Sequence, residues 1–244
     1  MTDAAHRHHR IEGIAAPIAI ANLDTDQIMP KQFLRGIDKT GLAQGVLWDL
    51  RFHGDGSPRE DFVLNRPVYA GTRILIADSN FGCGSSREHA VWGLQQYGID
   101  AVIAPSFGEI FYSNAMNNRL LAVMLPEPQV RALLDAALTS AEPLRIDIDV
   151  RRLEVRSPLG TSAFALSDRH RTMFVEGLDL IGASLTHQAA IEAFAQRHWA
   201  AQPWVRDVAR RTKERLDRLS SRPAESQGPV RTKIESSRQH GDHA

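Results

Sequence analysis

The chain has 244 residues, with 29 Lys and Arg against 29 Asp and Glu, ten His and one Cys. Hydrophobic residues make up 43%, enough for a packed core, so wholesale disorder is excluded. One Cys rules out a disulfide framework, a Cys-x-x-Cys zinc site and an iron–sulfur cluster held by this chain alone; zero net charge argues against a nucleic-acid binder built on bulk positive charge, and no apolar run nears the roughly 18–20 residues of a membrane span.

His6, Arg7, His8, His9 and Arg10, followed by the apolar run 14–21 ending Ala19-Ile20-Ala21, imitate a secretory leader. The run holds Pro17 and follows Glu12, so a first β-strand over 14–21 and a cytoplasmic protein are expected instead. Asn22 to Asp26 reads as a polar loop closed by Pro30. Residues 31–66 carry Gly36, Gly41, Gly45, Gly54, Gly56 and Pro58, which suits a long excursion with one short helix near 38–50. A regular α/β alternation begins at Gly71. It predicts a buried strand over 73–77, a Gly-containing loop over 79–86, a helix over 87–97 stopped by Gly98, and a strand over 101–104. Ser106-Phe107-Gly108-Glu109 has the form of a capping box opening a helix to about residue 118, and a short strand over 121–125 ends at Pro126. Val130, Leu133, Leu134, Ala137 and Leu138 have helical apolar spacing. Residues 144–166 alternate as a β-meander turning at Pro158-Leu159-Gly160. Helices are expected from Asp168 to Gly177 and over 186–199.

The C-terminal part differs. Residues 203–244 carry ten basic and six acidic residues, so the zero net charge is a balance between an acidic body and a basic end. Residues 203–219 read as a polar helix, and residues from Ser220 on, rich in Ser and poor in large apolar side chains, as a disordered tail. The sequence thus divides into a body, 1–202, and an extension, 203–244. Within the extension Arg206, Arg210, Arg211, Lys213, Arg215, Arg218 and Arg222 cluster, which suits either a solvated face or docking on an acidic partner.

The segment richest in chemistry is Asn80-Phe81-Gly82-Cys83-Gly84-Ser85-Ser86-Arg87-Glu88-His89-Ala90, between a buried strand and a helix. Ligands bind at such junctions, outside the carboxyl ends of the strands of α/β sheets. Gly82 and Gly84 allow tight backbone turns. A helix start offers free N–H groups, and Ser85, Ser86 and Arg87 add hydroxyls and a bidentate cation, an arrangement suited to a carboxylate or phosphate. A purely structural alternative stands beside this one: Ser85 and Glu88 also fit a capping box. The nearest named motifs fail. Arg87 stands where a dinucleotide fingerprint needs Gly, no Gly-Lys-Ser/Thr follows, and a nucleophile elbow lacks its second Gly. A serine hydrolase would need Asp168 with His170 or His187. His89 reads as a packed or supporting His, and Cys83 as a small packing residue.

These runs, with Asn22-Leu23-Asp24-Thr25-Asp26-Gln27-Ile28-Met29-Pro30-Lys31-Gln32-Phe33-Leu34 upstream, resemble the small subunits of 3-isopropylmalate dehydratase, in the aconitase superfamily. Ala104 to Tyr112, Asn117-Asn118 and Gly177-Leu178-Asp179-Leu180-Ile181-Gly182 fit in the same order, so the likeness runs from about residue 11 to 200 and leaves the extension unexplained. It implies an α/β fold, the swivelling β/β/α domain of that superfamily. It implies a hydro-lyase of leucine biosynthesis that moves a hydroxyl between neighbouring carbons of a small dicarboxylate by dehydration and rehydration. The partner implied is a large subunit carrying a [4Fe–4S] cluster, with no metal in this chain. Ser85 would be the catalytic base, acting as an alkoxide. Gly84, Ser86 and Arg87 would bind substrate, with Asp24, Thr25 and Asp26 bordering the site or shaping its loop. Leu42 and Leu47, with Ile37, either line an apolar pocket for the isopropyl group or form local core. Sister hydratases of homoaconitate, citraconate or dimethylmalate, and a non-catalytic anion-binding domain, are the alternatives. One methylene is worth only about 1–3 kcal/mol, too little for residue types to decide among the hydratases.

Overall fold

The computed structural model describes residues 9–34 and 40–220. It divides into two compact units, residues 1–186 and 187–244. The first is built on one seven-stranded sheet in the order β4-β3-β2-β1-β5-β6-β7. The strands are β1 (Arg10–Ile18), β2 (Thr72–Ala77), β3 (Ala101–Ala104), β4 (Leu121–Met124), β5 (Leu144–Asp149), β6 (Glu154–Ser157) and β7 (Gly160–Ala163).

Strands β1 to β4 run parallel, and β5 to β7 are antiparallel to their neighbours. The two halves match two patterns in the sequence. TRILIA and AVIA are near-continuous apolar runs because parallel strands are covered on both faces, whereas LRIDID alternates because one face of β5 meets water. The first strand starts four residues earlier than its apolar run suggested, and ends earlier too. The reason is pairing: Arg10 to Ala15 lie opposite Asp149 to Leu144 of β5, and Arg10 forms a 2.7 Å ion pair with Asp147. Pro17 is tolerated in this central strand because β5 has ended two residues before it.

Helices α3 (Glu88–Tyr97) and α4 (Glu109–Asn117) make the crossovers from β2 to β3 and β3 to β4. Both crossovers step the same way along the sheet, so right-handed connections place both helices on one face. Helix α5 (Glu127–Thr139) packs across β1, β2 and β3. It buries Val130, Leu133, Leu134 and Ala137, while Leu138 is exposed and not part of the apolar stripe as expected. Helix α6 (Asp168–Glu176) ends at Gly177 in the left-handed conformation, as the sequence suggests.

Two helices escaped the sequence reading: a turn in the polar loop after β1, α1 (Thr25–Ile28), and α7 (Leu180–Leu185), capped by Asp179. The short helix expected near 38–50 is a 3-10 turn at Leu42–Gly45 followed by α2 (Trp48–Arg51), and the helix expected over 186–199 is α8 (Gln188–Ala201). In the second unit, a 3-10 turn at Pro203–Val205 and α9 (Val208–Ser220) follow α8, and Arg206 lies 5.6 Å over the Trp199 ring. Ser220, expected to begin the disordered tail, instead closes α9; from residue 221 on the tail lies outside the described residues.

Candidate active site

Strands β1, β2 and β3 are neighbours, so the loops leaving their carboxyl ends lie side by side. The middle loop, 78–87, is stitched to both flanking loops by backbone hydrogen bonds. On one side Asn22 N donates to Ser79 O (2.9 Å), Gly82 N to Leu23 O (2.7 Å) and Thr25 N to Cys83 O (3.0 Å). On the other, Phe81 N donates to Ser106 O (3.1 Å) and Gly108 N to Phe81 O (2.9 Å). Asn22 and Asn80 both adopt left-handed backbone, which Asn accepts more readily than most residues. Asn80 Nδ2 donates to Asn22 Oδ1 at 2.8 Å, joining the two turns. Below them Phe81 is fully buried, edge-on to Phe107 and Phe111.

Two glycines set how closely the loops approach. A Cβ on Gly82 would lie 2.2 Å from Phe111 Cγ, so this glycine makes room for the protein's own ring, not for a ligand. Gly108 has an ordinary φ of −57°, but its Cβ would lie 2.5 Å from Gly82 O and 2.9 Å from Cys83 Cα. Those are backbone atoms that must move apart. Gly108→Ala is expected to cost about 1–3 kcal/mol, as overpacking does, and to lower Tm by about 2–10 °C. Unchanged thermal melting would contradict the closeness of these loops.

Gly84, Ser85 and Ser86 form the exposed tip. The Ser85 carbonyl accepts from Thr25 Oγ1 (2.8 Å) and Arg87 N (2.9 Å), and the Ser85 hydroxyl lies 3.3 Å from Thr25 Oγ1. Arg87 ion-pairs with Asp26, and the facing atoms, Nη1 and Oδ1, are both out of contact with solvent. Thus consecutive residues of α1 hold Ser85 and Arg87. Helix α1 is itself fixed by a capping box: Asp24 Oδ1 accepts from Gln27 N (2.7 Å), and Gln27 Oε1 accepts from Asp24 N (3.1 Å). Asp24 shapes the loop, and it also sits 3.5 Å from where a Gly84 Cβ would be. Thr25, expected to border the substrate, is 1% exposed with its hydroxyl turned to Ser85.

The capping boxes read at Ser85–Glu88 and Ser106–Glu109 do not form. Helix α3 starts behind Arg87 and α4 behind Gly108, neither with a side-chain cap. Ser106 Oγ accepts from Asn80 N (2.9 Å), fixing the middle loop. Glu88 Oε1 accepts from Asn118 Nδ2 (2.7 Å), and Asn118 Oδ1 accepts from Trp92 Nε1 (3.0 Å). Asn118 therefore ties the start of α3 to the end of α4, a role that sequence spacing did not reveal. Cys83 Sγ donates to Asn22 O at 3.3 Å, in keeping with packing. His89 packs edge-on to Trp92, with ring centroids 4.8 Å apart. Leu42 and Leu47 are buried in the core, and Ile37 lies outside the described residues.

Of the two histidines a serine hydrolase would need, His170 packs edge-on to Tyr112, with ring centroids 6.3 Å apart, and His187 belongs to the second unit. Burial, then the Arg169 charge, pushes the His170 pKa below its usual 6.5. A histidine held neutral by the fold contributes stability that is present above the unfolded pKa and is lost as pH falls below about 6.5. An NMR titration should give His170 a midpoint below that of a model peptide; a raised midpoint would contradict the packing. Among the described residues no group of three or more His, Cys, Asp or Glu side chains could hold a metal ion, and no helix is long and apolar enough to cross a membrane.

The chain matches the family model of the aconitase C-terminal domain over residues 5–128. It is 64% identical to 3-isopropylmalate dehydratase small subunit 1 of Chromobacterium violaceum over 209 residues, covering 86% of this chain and 98% of that one. It is 43% identical to the 3-isopropylmalate dehydratase small subunit of Phenylobacterium zucineum over 197 residues, 80% of this chain and 96% of that one. Among solved structures it is similar to a 3-isopropylmalate dehydratase from Methanocaldococcus jannaschii, with a TM-score of 0.54 and 26% identity, covering 76% of this chain and 99% of that one. The chain belongs to the family of 3-isopropylmalate dehydratase small subunits, with an aconitase C-terminal domain as its core.

Proposed function

We propose that this chain is the small subunit of a hydro-lyase that interconverts 2-isopropylmalate and 3-isopropylmalate in leucine biosynthesis, active only with a large subunit. The observation that carries the reading is the held pair: an exposed Ser85 fixed by Thr25, and Arg87 fixed by Asp26, in a chain 64% identical to a named small subunit.

Dehydration removes a C–H proton beside a carboxylate, and the charge that develops there needs a cation. We assign Ser85 to take that proton. Its hydroxyl stands at the exposed tip, and Arg87, two residues on, presents a planar guanidinium suited to a carboxylate in bidentate fashion. Before substrate arrives Asp26 occupies Arg87. A substrate carboxylate takes a share of the same fork, which has five N–H donors and so can serve both. Ser86, exposed beside them, adds a hydroxyl donor.

The donor set of this chain does not fit an iron–sulfur cluster, having one Cys and, among the described residues, no clustered metal ligands. We assign the cluster to the large subunit, where an open iron would help hydroxide leave. Residues 203–244 are outside this chemistry. Ending the chain at residue 202 is expected to leave complex formation unchanged by size-exclusion chromatography; loss of the complex would make the basic end a docking segment. The functional reading is tested by expressing the chain in a bacterium lacking its own small subunit. Growth without leucine is expected. Failure to grow, with the chain bound to the large subunit in the cell extract, would overturn it.

A further inference from the structure

We propose that Thr25 is a hydrogen-bond switch that sets the protonation of Ser85, a positioning residue and not a substrate contact. The inference rests on the assignment of Ser85 as base.

Thr25 has one O–H and two acceptors in reach, both on Ser85: the carbonyl at 2.8 Å and the hydroxyl oxygen at 3.3 Å. While Ser85 is neutral, the Thr25 proton points at the carbonyl, and Thr25 Oγ1 is left to accept the Ser85 proton. When Ser85 loses that proton to solvent, its Oγ becomes a charged acceptor. Hydrogen bonds to ionised acceptors are roughly twice as strong as neutral ones, so the Thr25 O–H turns from the carbonyl to the alkoxide. No other group need move. The carbonyl keeps its second donor, Arg87 N at 2.9 Å, and is not orphaned by the turn. When the alkoxide takes the substrate C–H proton, Ser85 is neutral again and Thr25 turns back.

The surroundings hold Thr25 ready for this. Its side chain is 1% exposed, so water does not compete for its proton. Its backbone N donates to Cys83 O at 3.0 Å, and the Asp24–Gln27 capping box fixes the turn it begins. A β-branched side chain on so fixed a backbone has little rotamer freedom. The Oγ1 therefore stays beside Ser85 while its hydrogen changes acceptor.

The test compares Thr25→Val, which keeps the shape and loses the hydroxyl, with Thr25→Ser, which keeps the hydroxyl. Both are measured in the complex with a cluster-loaded large subunit. For Thr25→Val we expect kcat to fall about 10- to 100-fold, the range of a charge-assisted hydrogen bond. The acidic limb of the pH–kcat profile should move to higher pH, with KM within about twofold of wild type, since the ionised Ser85 has lost a donor while substrate binding has lost none. Thr25→Ser should restore the rate and the pH profile. Wild-type kcat in Thr25→Val, an equal loss in both variants, or a loss with an unmoved pH profile would each overturn the switch. If Thr25→Val does not assemble, Thr25→Ala is judged by the same readouts. A wild-type complex without activity would instead sink the functional reading, and the switch with it.

Discussion

Ser85→Ala is expected to fold, to bind the large subunit as wild type does, and to lose at least about a thousandfold in the interconversion rate, within the range for removing a general base. The side chain is exposed and supports little of the fold. Its contact with Thr25 is at a long 3.3 Å, and the stronger contact from Thr25 goes to the Ser85 carbonyl, which Ala retains. Removing Oγ therefore removes the base and little else. Steady-state rates, with complex formation followed by size-exclusion chromatography, separate the two effects. A rate within tenfold of wild type, in an assembled complex, would remove Ser85 from the chemistry.

Arg87→Lys should act on substrate binding. Lysine keeps the charge but offers a single ammonium in place of a planar fork, so it cannot pair two carboxylate oxygens in parallel. Hydrogen bonds to charged groups contribute about 1.5–3 kcal/mol, so KM is expected to rise about 10- to 100-fold. The pairing with Asp26 makes the change smaller than a loss of charge would. The facing atoms Asp26 Oδ1 and Arg87 Nη1 are out of solvent, although the Asp26 side chain is 46% exposed; removing one partner of a pair leaves the other's charge uncompensated, and lysine avoids that. Substrate-dependence curves of the assembled enzyme give the result, and an unchanged KM would show that Arg87 serves the Asp26 pair alone.

The sheet was legible where burial dictates residue type. The runs at 73–77 and 101–104 read as buried strands and the alternation at 144–150 as part of a meander, and the structure has strands there, covered on both faces in the first two and wet on one face in the third. Local pattern failed where tertiary bonds outrank it. Ser106 and Glu88 have the right spacing for caps, yet each is drawn to a more distant partner, Asn80 and Asn118. Helix α1 was missed although Asp24 and Gln27 spell a capping box, because four residues carry no apolar periodicity. At Gly84 to Arg87 the residue types suggest an anion site, but Ser85 and Glu88 also have the spacing of a cap, and the roles given to Ser85 and Arg87 come from the family resemblance. That Thr25 meets Ser85 across 60 positions, and Asp26 meets Arg87, was not legible. Those contacts depend on β1 and β2 being parallel neighbours, which brings their two following loops together.

The central claim is that this chain completes an isopropylmalate hydro-lyase. Its most direct test is to mix the purified chain with a cluster-loaded 3-isopropylmalate dehydratase large subunit and follow isopropylmaleate formation from 3-isopropylmalate. The account predicts no turnover by either chain alone and turnover on mixing, with homoaconitate, citraconate and dimethylmalate poorer substrates. Turnover by this chain alone, or none by an assembled pair, would contradict it.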